Sequence, residues 1–243
     1  MGYFATEDLH IKGHDYVTNI EMADVFIVLG GDGSIIEAVS FLTRNKLFNV
    51  PVLGVNTGHV GFLSNDIKLD RVKSILDGEV EEWPHYHISK RRLISVRSKL
   101  QEVFGINEVV IGPQVFGRLL TTDIIVDDVP LTYQGDGLVI STSSGSTAYN
   151  LSAGGPIVTP AVEGMCITPL NPFALASRTL VVPSNTTIKV MSNKESSTII
   201  DGQPTGMYDL VVTLSEVCIS LIKVNSFMSD IQHKLGWNKN IKN

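Results

Sequence analysis

Two unlike hydrophobic patterns divide the chain. Up to about residue 86 the apolar residues gather into unbroken runs, Val25-Phe26-Ile27-Val28-Leu29 and Val50-Pro51-Val52-Leu53-Gly54-Val55. Such runs suit strands buried on both faces of a parallel sheet. Between them Ile35, Ala38, Val39 and Leu42 recur at helical spacing, so strand, helix and strand form a right-handed βαβ unit. A short helix is expected over Arg71–Leu76, capped by Asp70 and ended by Gly78. Residues 1–22 are polar and hold no comparable run. The sheet is therefore expected without the strand that usually opens an α/β domain.

After Trp83-Pro84 the runs shorten. Leu93–Val96, Asn107–Ile111, Asp123–Val129, Leu138–Thr142, Thr179–Val182, Ile188–Met191, Ser197–Ile200, Leu210–Leu214 and Val217–Val224 read as β-strands. Asp127-Asp128, Pro183-Ser184-Asn185 and Asp201-Gly202 are turn signals between them. This is the pattern of an antiparallel sandwich. A short helix is embedded near Ser146, and Ser226–Trp237 reads as a final helix. The expected architecture is an α/β N-terminal domain with a Rossmann-like parallel sheet over residues 1–86, joined by a C-terminal helix in 225–243. An all-β, sandwich-like C-terminal domain with an embedded short helix follows over residues 87–224.

Composition narrows the function classes. Of 243 residues, 43% are hydrophobic and 18% charged, which is ordinary for a globular chain. The net charge is −6 and Lys90-Arg91-Arg92 is the longest basic run, so a nucleic-acid partner is not expected. No apolar run approaches the roughly 18 residues of a membrane span, and no secretory pattern opens the sequence. Cys166 and Cys218 lie in apolar contexts and are expected as free thiols of a cytoplasmic protein.

The chemistry concentrates in two places. Gly30-Gly31-Asp32-Gly33-Ser34 joins the first apolar strand to the first helix. Glycines permit close approach of a ligand, and a helix start offers N–H groups that suit phosphate. Asp32 puts an anion in that cradle. It has work there either as a metal ligand or as a base for a hydroxyl, and both point to phosphoryl transfer. The dinucleotide fingerprint fails because Ile36 stands at the third glycine position, and no P-loop lysine follows. Cationic help must come from elsewhere, such as a divalent metal. Ligands of parallel sheets bind at the carboxyl ends of strands, so Gly30–Ser34 and the Asn56–Leu63 loop are expected to face one crevice.

The second place is Gly135-Asp136-Gly137-Leu138 through Gly155, dense in glycine and hydroxyls, with Tyr149 able to stack on a base. Such a loop can also satisfy only its own backbone. Asn107-Glu108 at a strand edge reads as a solvated pair or as a grip on ribose hydroxyls. His85 and His87 lack further metal ligands nearby, and Asp201-Gly202-Gln203 reads as a turn.

From about Asp24 to Trp237 the sequence resembles the NAD kinase family (inorganic polyphosphate/ATP-NAD kinases). The resemblance rests on Gly30-Gly31-Asp32-Gly33, Asn56-x-Gly58-x-x-Gly61-Phe62-Leu63, Asn107-Glu108, Asp136-Gly137-Leu138, Ser141-Thr142-x-x-Gly145-Ser146-Thr147-Ala148-Tyr149, Gly154-Gly155-Pro156, Ile167-Thr168-Pro169, Asp201-Gly202-Gln203 and Lys234-Leu235-Gly236-Trp237. The first motif is shared with phosphofructokinases and lipid kinases; the Gly145–Tyr149 stretch with Asn107-Glu108 is more specific. It implies transfer of a terminal phosphate of ATP or polyphosphate to the 2′-hydroxyl of the adenosine ribose of NAD, with a divalent metal, Mg the expected one. By the same resemblance Asp32 is the catalytic base. NAD would be bound by Asp32, Gly33, Asn107, Glu108, Gln134, Asp136, Thr147, Ala148, Tyr149, Asn150, Ser152 and Gln203. The donor phosphates would be bound by Gly30, Gly31, Gly33, Ser34 and Asn56. A homodimer or homotetramer, in which neighbouring subunits can share a site, is implied too. Ser34 replaces the more usual Thr, and Phe173 stands where relatives often carry His. Two alternatives remain: a catalytically silent NAD(P)-binding module, motivated by the missing strand, and a diacylglycerol-type lipid kinase.

Overall fold

The computed structural model describes residues 2–5, 15–16, 20–58, 61–76, 86–115, 117–192 and 196–237. The expectations placed on His59, Val60, Gly78, Trp83-Pro84 and His85 lie outside them. The chain divides into two compact units, residues 1–91 with 219–243, and residues 92–218.

In the first unit β1 (Gly2–Ala5), β2 (Asp15–Tyr16), β3 (Val25–Leu29), β4 (Val52–Val55) and the end of the long strand β16 (Leu210–Lys223) form a parallel sheet. The opening strand is thus present, contrary to the expectation from the polar start. Tyr3, Phe4 and Ala5 lie opposite Val25, Phe26 and Ile27. Three apolar residues are too few for a hydrophobic pattern, but the bare backbone edge of β3 supplies the pairing partner. Helix α1 (Asp32–Arg44) buries Ile35, Ala38, Val39 and Leu42. A side chain at Gly54 would collide with Ile35 Cδ1 at 2.3 Å, so the glycine in β4 lets the helix lie close. Val25, Ile27, Leu53 and Val55 pack instead with Ile67 and Val72. Helix α2 (Leu69–Leu76) begins before Asp70, which therefore sits in its first turn and does not cap it. The carbonyl of Lys68 receives the first helical N–H groups, from Arg71 and Val72. The last helix, α4 (Phe227–Lys234), is capped by the Ser226 side chain, which accepts the Ser229 N–H.

The second unit is a β-sandwich. Its strands are β5 (His87–Arg97, which enters from the first unit), β6 (Glu102–Gly105), β7 (Glu108–Pro113), β8 (Leu120–Val126), β9 (Val129–Gly135), β10 (Gly137–Thr142), β11 (Gly164–Leu170), β12 (Leu180–Pro183), β13 (Thr187–Met191), β14 (Ser196–Ile200), β15 (Gln203–Pro204) and the first part of β16. Among the described residues one sheet runs β12-β11-β10-β7-β14-β15, all antiparallel. Facing it, β13 pairs with β16 and β8, and β8 with β9. Val109, Ile111, Leu138, Ile140 and Ile167 from the first sheet share one core with Ile124, Ile188, Val190 and Val212 from the second. The run Asp123–Val129 is two strands, because Asp127 and Asp128 both take positive φ (44° and 69°) and turn the chain back. The runs 210–214 and 217–224 are one strand, β16. Strand β11 escaped the pattern because it ends in Thr168-Pro169-Leu170.

Candidate active site

The first unit places its chemistry at the carboxyl ends of β3 and β4, which Gly30 ties together by donating its N–H to the Val55 carbonyl at 3.0 Å. Asp32 opens α1, with Gly31 at the cap position and no side-chain cap there. Its carboxylate is held from the facing loop. Phe62 N–H donates to Oδ2 at 2.6 Å, and Leu63 and Ser64 N–H donate to Oδ1 at 3.0 Å each. The two glycine loops therefore do face one another. Gly61 makes this approach possible: a Cβ there would lie 1.9–2.3 Å from the Asp32 carboxyl atoms. Oδ1 already accepts two N–H groups while Oδ2 accepts one, so Oδ2 is the oxygen with room for a further proton or ligand. Asn56 closes its own turn, bonding the Gly58 carbonyl at 2.6 Å and N–H at 3.2 Å.

Several residues the sequence did not single out support this loop. Asn65, buried, donates to the Gly54 and Ile222 carbonyls at 3.0 and 2.8 Å and accepts the Val224 N–H at 2.9 Å. The cations missing from the glycine turn lie here too. Arg91 is buried, and desolvation lowers its pKa to about 10, although Asp230 and Asp32 work in the other direction. Lys234 sits 4.6 Å over the Phe62 ring and 3.5 Å from Asp230. Lys234 opens the family-like run Lys234-Leu235-Gly236-Trp237, the one signal in the sequence that pointed to it.

In the second unit the sheet order gathers Asn107, Glu108 and the Gly145–Ser152 loop. Asn107 leads into β7 and Glu108 starts it, beside the end of β10, with Glu108 opposite Ser141, and beside the end of β14, with Ile200 opposite Val109. Far from a solvated pair, Asn107 and Glu108 are only 6% and 7% exposed. Asp201, read from sequence as a mere turn residue, holds them. Its carboxylate accepts N–H from Ile106 at 2.6 Å, Asn107 at 2.9 Å and Glu108 at 3.1 Å. Thr142 adds a second grip: its hydroxyl donates to the Ile106 carbonyl at 2.6 Å and accepts the Gly145 N–H at 3.0 Å. A side chain at Gly145 would meet the Asn107 carbonyl oxygen at 2.1 Å, which explains the glycine in that motif.

Burial, then the neighbouring Asp201, raise the Glu108 pKa to about 7, although the Tyr149 N–H pulls it down. Glu108 Oε2 meets no donor among the described residues. Tyr149, whose backbone N–H meets this carboxyl, opens the short helix α3 (Tyr149–Ser152) and is 44% exposed. Thr147 is half-buried and bonds the Ser144 carbonyl, Ala148 is half-buried, and Ser152 and Gln203 are exposed. Asn150 differs from its neighbours. It is fully buried, donates to the Ser146 and Pro156 carbonyls at 3.2 and 3.0 Å and accepts the Thr168 hydroxyl at 2.6 Å. It has no donor left for a ligand and acts by shaping the loop.

Gln134 and Asp136 are not brought to this cluster. They precede β10, whose six residues put about 20 Å between Asp136 and the Thr142 end. There Gln134 donates to the Thr121 hydroxyl at 3.4 Å, and Asp136 accepts from Asn171 at 2.7 Å. Cys166 is buried and Cys218 half-buried, both as free thiols. No described helix is long and apolar enough to cross a membrane.

Comparison with known proteins matches two family models, the ATP-NAD kinase N-terminal domain over residues 14–82 and the ATP-NAD kinase C-terminal domain over residues 106–218. The chain is 34% identical over 227 residues to an NAD kinase of Gemmatimonas aurantiaca, covering 88% of this chain and 78% of that protein. It is 38% identical over 192 residues to an NAD kinase of Clostridium kluyveri, covering 74% and 64%. Among solved structures, an NAD kinase from Archaeoglobus fulgidus in complex with ATP superposes with a TM-score of 0.78 at 23% identity, covering 97% of this chain and 98% of that one. Yeast NADH kinase complexed with NADH superposes at 0.76 with 24% identity, covering 94% and 72%. At those identities the two structures speak for the fold.

Proposed function

The chain belongs to the NAD kinase family, and on that footing we propose that it moves the terminal phosphate of ATP or polyphosphate onto the 2′-hydroxyl of the adenosine ribose of NAD, giving NADP. The observation that carries the assignment of roles is the fixed carboxylate of Asp32 at the carboxyl ends of β3 and β4. Asp32 Oδ2, with accepting capacity to spare, takes the 2′-hydroxyl proton as the hydroxyl oxygen bonds to the terminal phosphorus. The bond from that phosphorus to its bridging oxygen breaks, and the shortened donor leaves with the electron pair.

The N–H groups at the start of α1, in Gly31–Ser34, receive the donor phosphates, with Gly30, its own N–H held by Val55, and Asn56 shaping the turns around them. A divalent cation fits this donor set in one way. Among the described residues no group of three His, Cys, Asp or Glu is placed to hold a metal, so Mg would be held chiefly by the donor phosphates, with Asp32 the nearest carboxylate of the glycine turn, as is usual for this hard ion. When bound, it would neutralise charge on the transferred phosphate.

In the second unit Glu108 grips the ribose hydroxyls, Asn107 the adenosine, and the exposed face of Tyr149 stacks on a ring. Thr147, Ala148, Ser152 and Gln203 complete the wall. Gln134 and Asp136, at the far end of β10, serve the nicotinamide end or, in a homodimer or homotetramer, the site of a neighbouring copy. The reading as a silent binder loses its motive, since β1 does flank β3.

The test is purified protein with NAD, Mg and either ATP or polyphosphate, read out as NADP. Turnover with at least one donor is expected. Tight NADP binding without turnover under either donor would overturn the proposal.

A further inference from the structure

The loop that holds Asp32 is itself held from its other side. The three residues whose N–H groups reach Asp32 point their carbonyls at one ammonium group, so the peptide units 62–63 and 63–64 are held at both ends. Lys223 Nζ, at the end of β16, donates to the carbonyls of Phe62 at 3.1 Å, Leu63 at 3.4 Å and Ser64 at 2.7 Å. Lys223 is buried, at 3% side-chain exposure, and its counter-charge is Asp230 Oδ2 at 3.4 Å, equally buried on α4. Asp230 also faces Lys234 at 3.5 Å through its other oxygen. All of these residues lie in the first unit.

A buried lysine is costly unless its charge and its N–H groups are met. Here the ammonium has no ligand role open to it, since carbonyls and Asp230 surround it. What the arrangement achieves is alignment. A cation on the carbonyl side and a carboxylate on the N–H side polarise the same peptides in the same sense, which strengthens both sets of hydrogen bonds. We propose that Lys223, fixed by Asp230 of the C-terminal helix, is a positioning residue for Asp32, acting through the peptides of residues 62–64. The proposal rests on Asp32 being the base.

A pH signature follows from the charge of Lys223. Burial brings its pKa below the ordinary lysine value, with Lys234 and Arg91 pulling the same way and Asp230 opposing. Loss of its proton in alkaline solution releases the carbonyls, so kcat falls there. Arginine in its place stays charged and carries that limb to higher pH.

The experiment compares Lys223→Met, Lys223→Arg and Asp32→Asn with the natural protein, and Lys223→Met with the Lys223→Met/Asp32→Asn double variant. Lys223→Met is expected to lower kcat on the order of 10- to 100-fold, as displacement of a catalytic group does, with KM for NAD within about twofold. Lys223→Arg restores much of kcat and moves the alkaline limb upward. In the Asp32→Asn background Lys223→Met costs no further rate, because the two act as one unit. Equal fractional losses in both backgrounds, or an alkaline limb that Lys223→Arg leaves in place, would overturn the proposal. If Lys223→Met does not fold, Asp230→Asn replaces it, with a kcat several-fold lower expected and an unchanged kcat contradicting. Full activity of Asp32→Asn would instead overturn the base assignment, leaving the two failures distinct.

Discussion

Asp201 and Asn107 are joined by a 2.9 Å hydrogen bond from the Asn107 N–H to Asp201 Oδ1, flanked by equivalent bonds from Ile106 and Glu108. A turn residue with positive φ (48°) thereby fixes the backbone that carries the two buried polar side chains of Asn107 and Glu108. Replacing Asp201 by Ala leaves three N–H groups without their acceptor. A loss of about 2–4 kcal/mol in stability is expected, together with weaker NAD binding. Denaturant unfolding and calorimetry with NAD measure both. Unchanged NAD affinity would separate Asp201 from the site.

Glu108 gives stability a pH dependence. Its folded pKa of about 7 lies above the ordinary glutamate value of 4.5, so between these values the folded state binds more protons than the unfolded state. Stability from this group is full below pH 4.5 and is lost as pH rises through 7, by on the order of 3 kcal/mol. Glu108→Gln removes that fall and is more stable than the natural protein at pH 8, while binding NAD less tightly. Thermal unfolding of both from pH 5 to 8 checks the sign.

Gly61 tests the closeness of the two glycine loops. A methyl group there would overlap the Asp32 carboxyl atoms, so Gly61→Ala must move Asp32 or the loop. Turnover is expected to fall about 100-fold, with NAD binding largely kept because Asn107, Glu108 and Tyr149, proposed to hold the adenosine, lie in the other unit. Steady-state kinetics beside calorimetry separates the two effects.

Most of the architecture was legible because long buried strands and short turn-punctuated strands leave different hydrophobic signatures. β3 and β4 were visible for that reason, and β1 was not, because its three apolar residues depend on the edge of β3. The Gly30–Ser34 turn and the Gly145–Tyr149 loop were visible as glycine and hydroxyl density. What sequence did not reveal is who holds them. Asp201, Asn65 and Lys223 each act on backbone groups remote in the chain, from Gly54 and Phe62 to Ile106, and Asp230 holds Lys223 through an ion pair. Such bonds carry no periodicity and no local motif. Asn150 shows the converse, since a residue inside a binding motif proves to be spent on its own loop.

The proposed removal of the ribose proton by Asp32 is tested most directly by Asp32→Asn. Asn retains an oxygen for the Leu63 and Ser64 N–H groups but faces Phe62 N–H with a donor and cannot take a proton. NADP formation from NAD, ATP and Mg should fall at least about 100-fold, while calorimetry still shows NAD bound. Near-full turnover by Asp32→Asn would contradict the account.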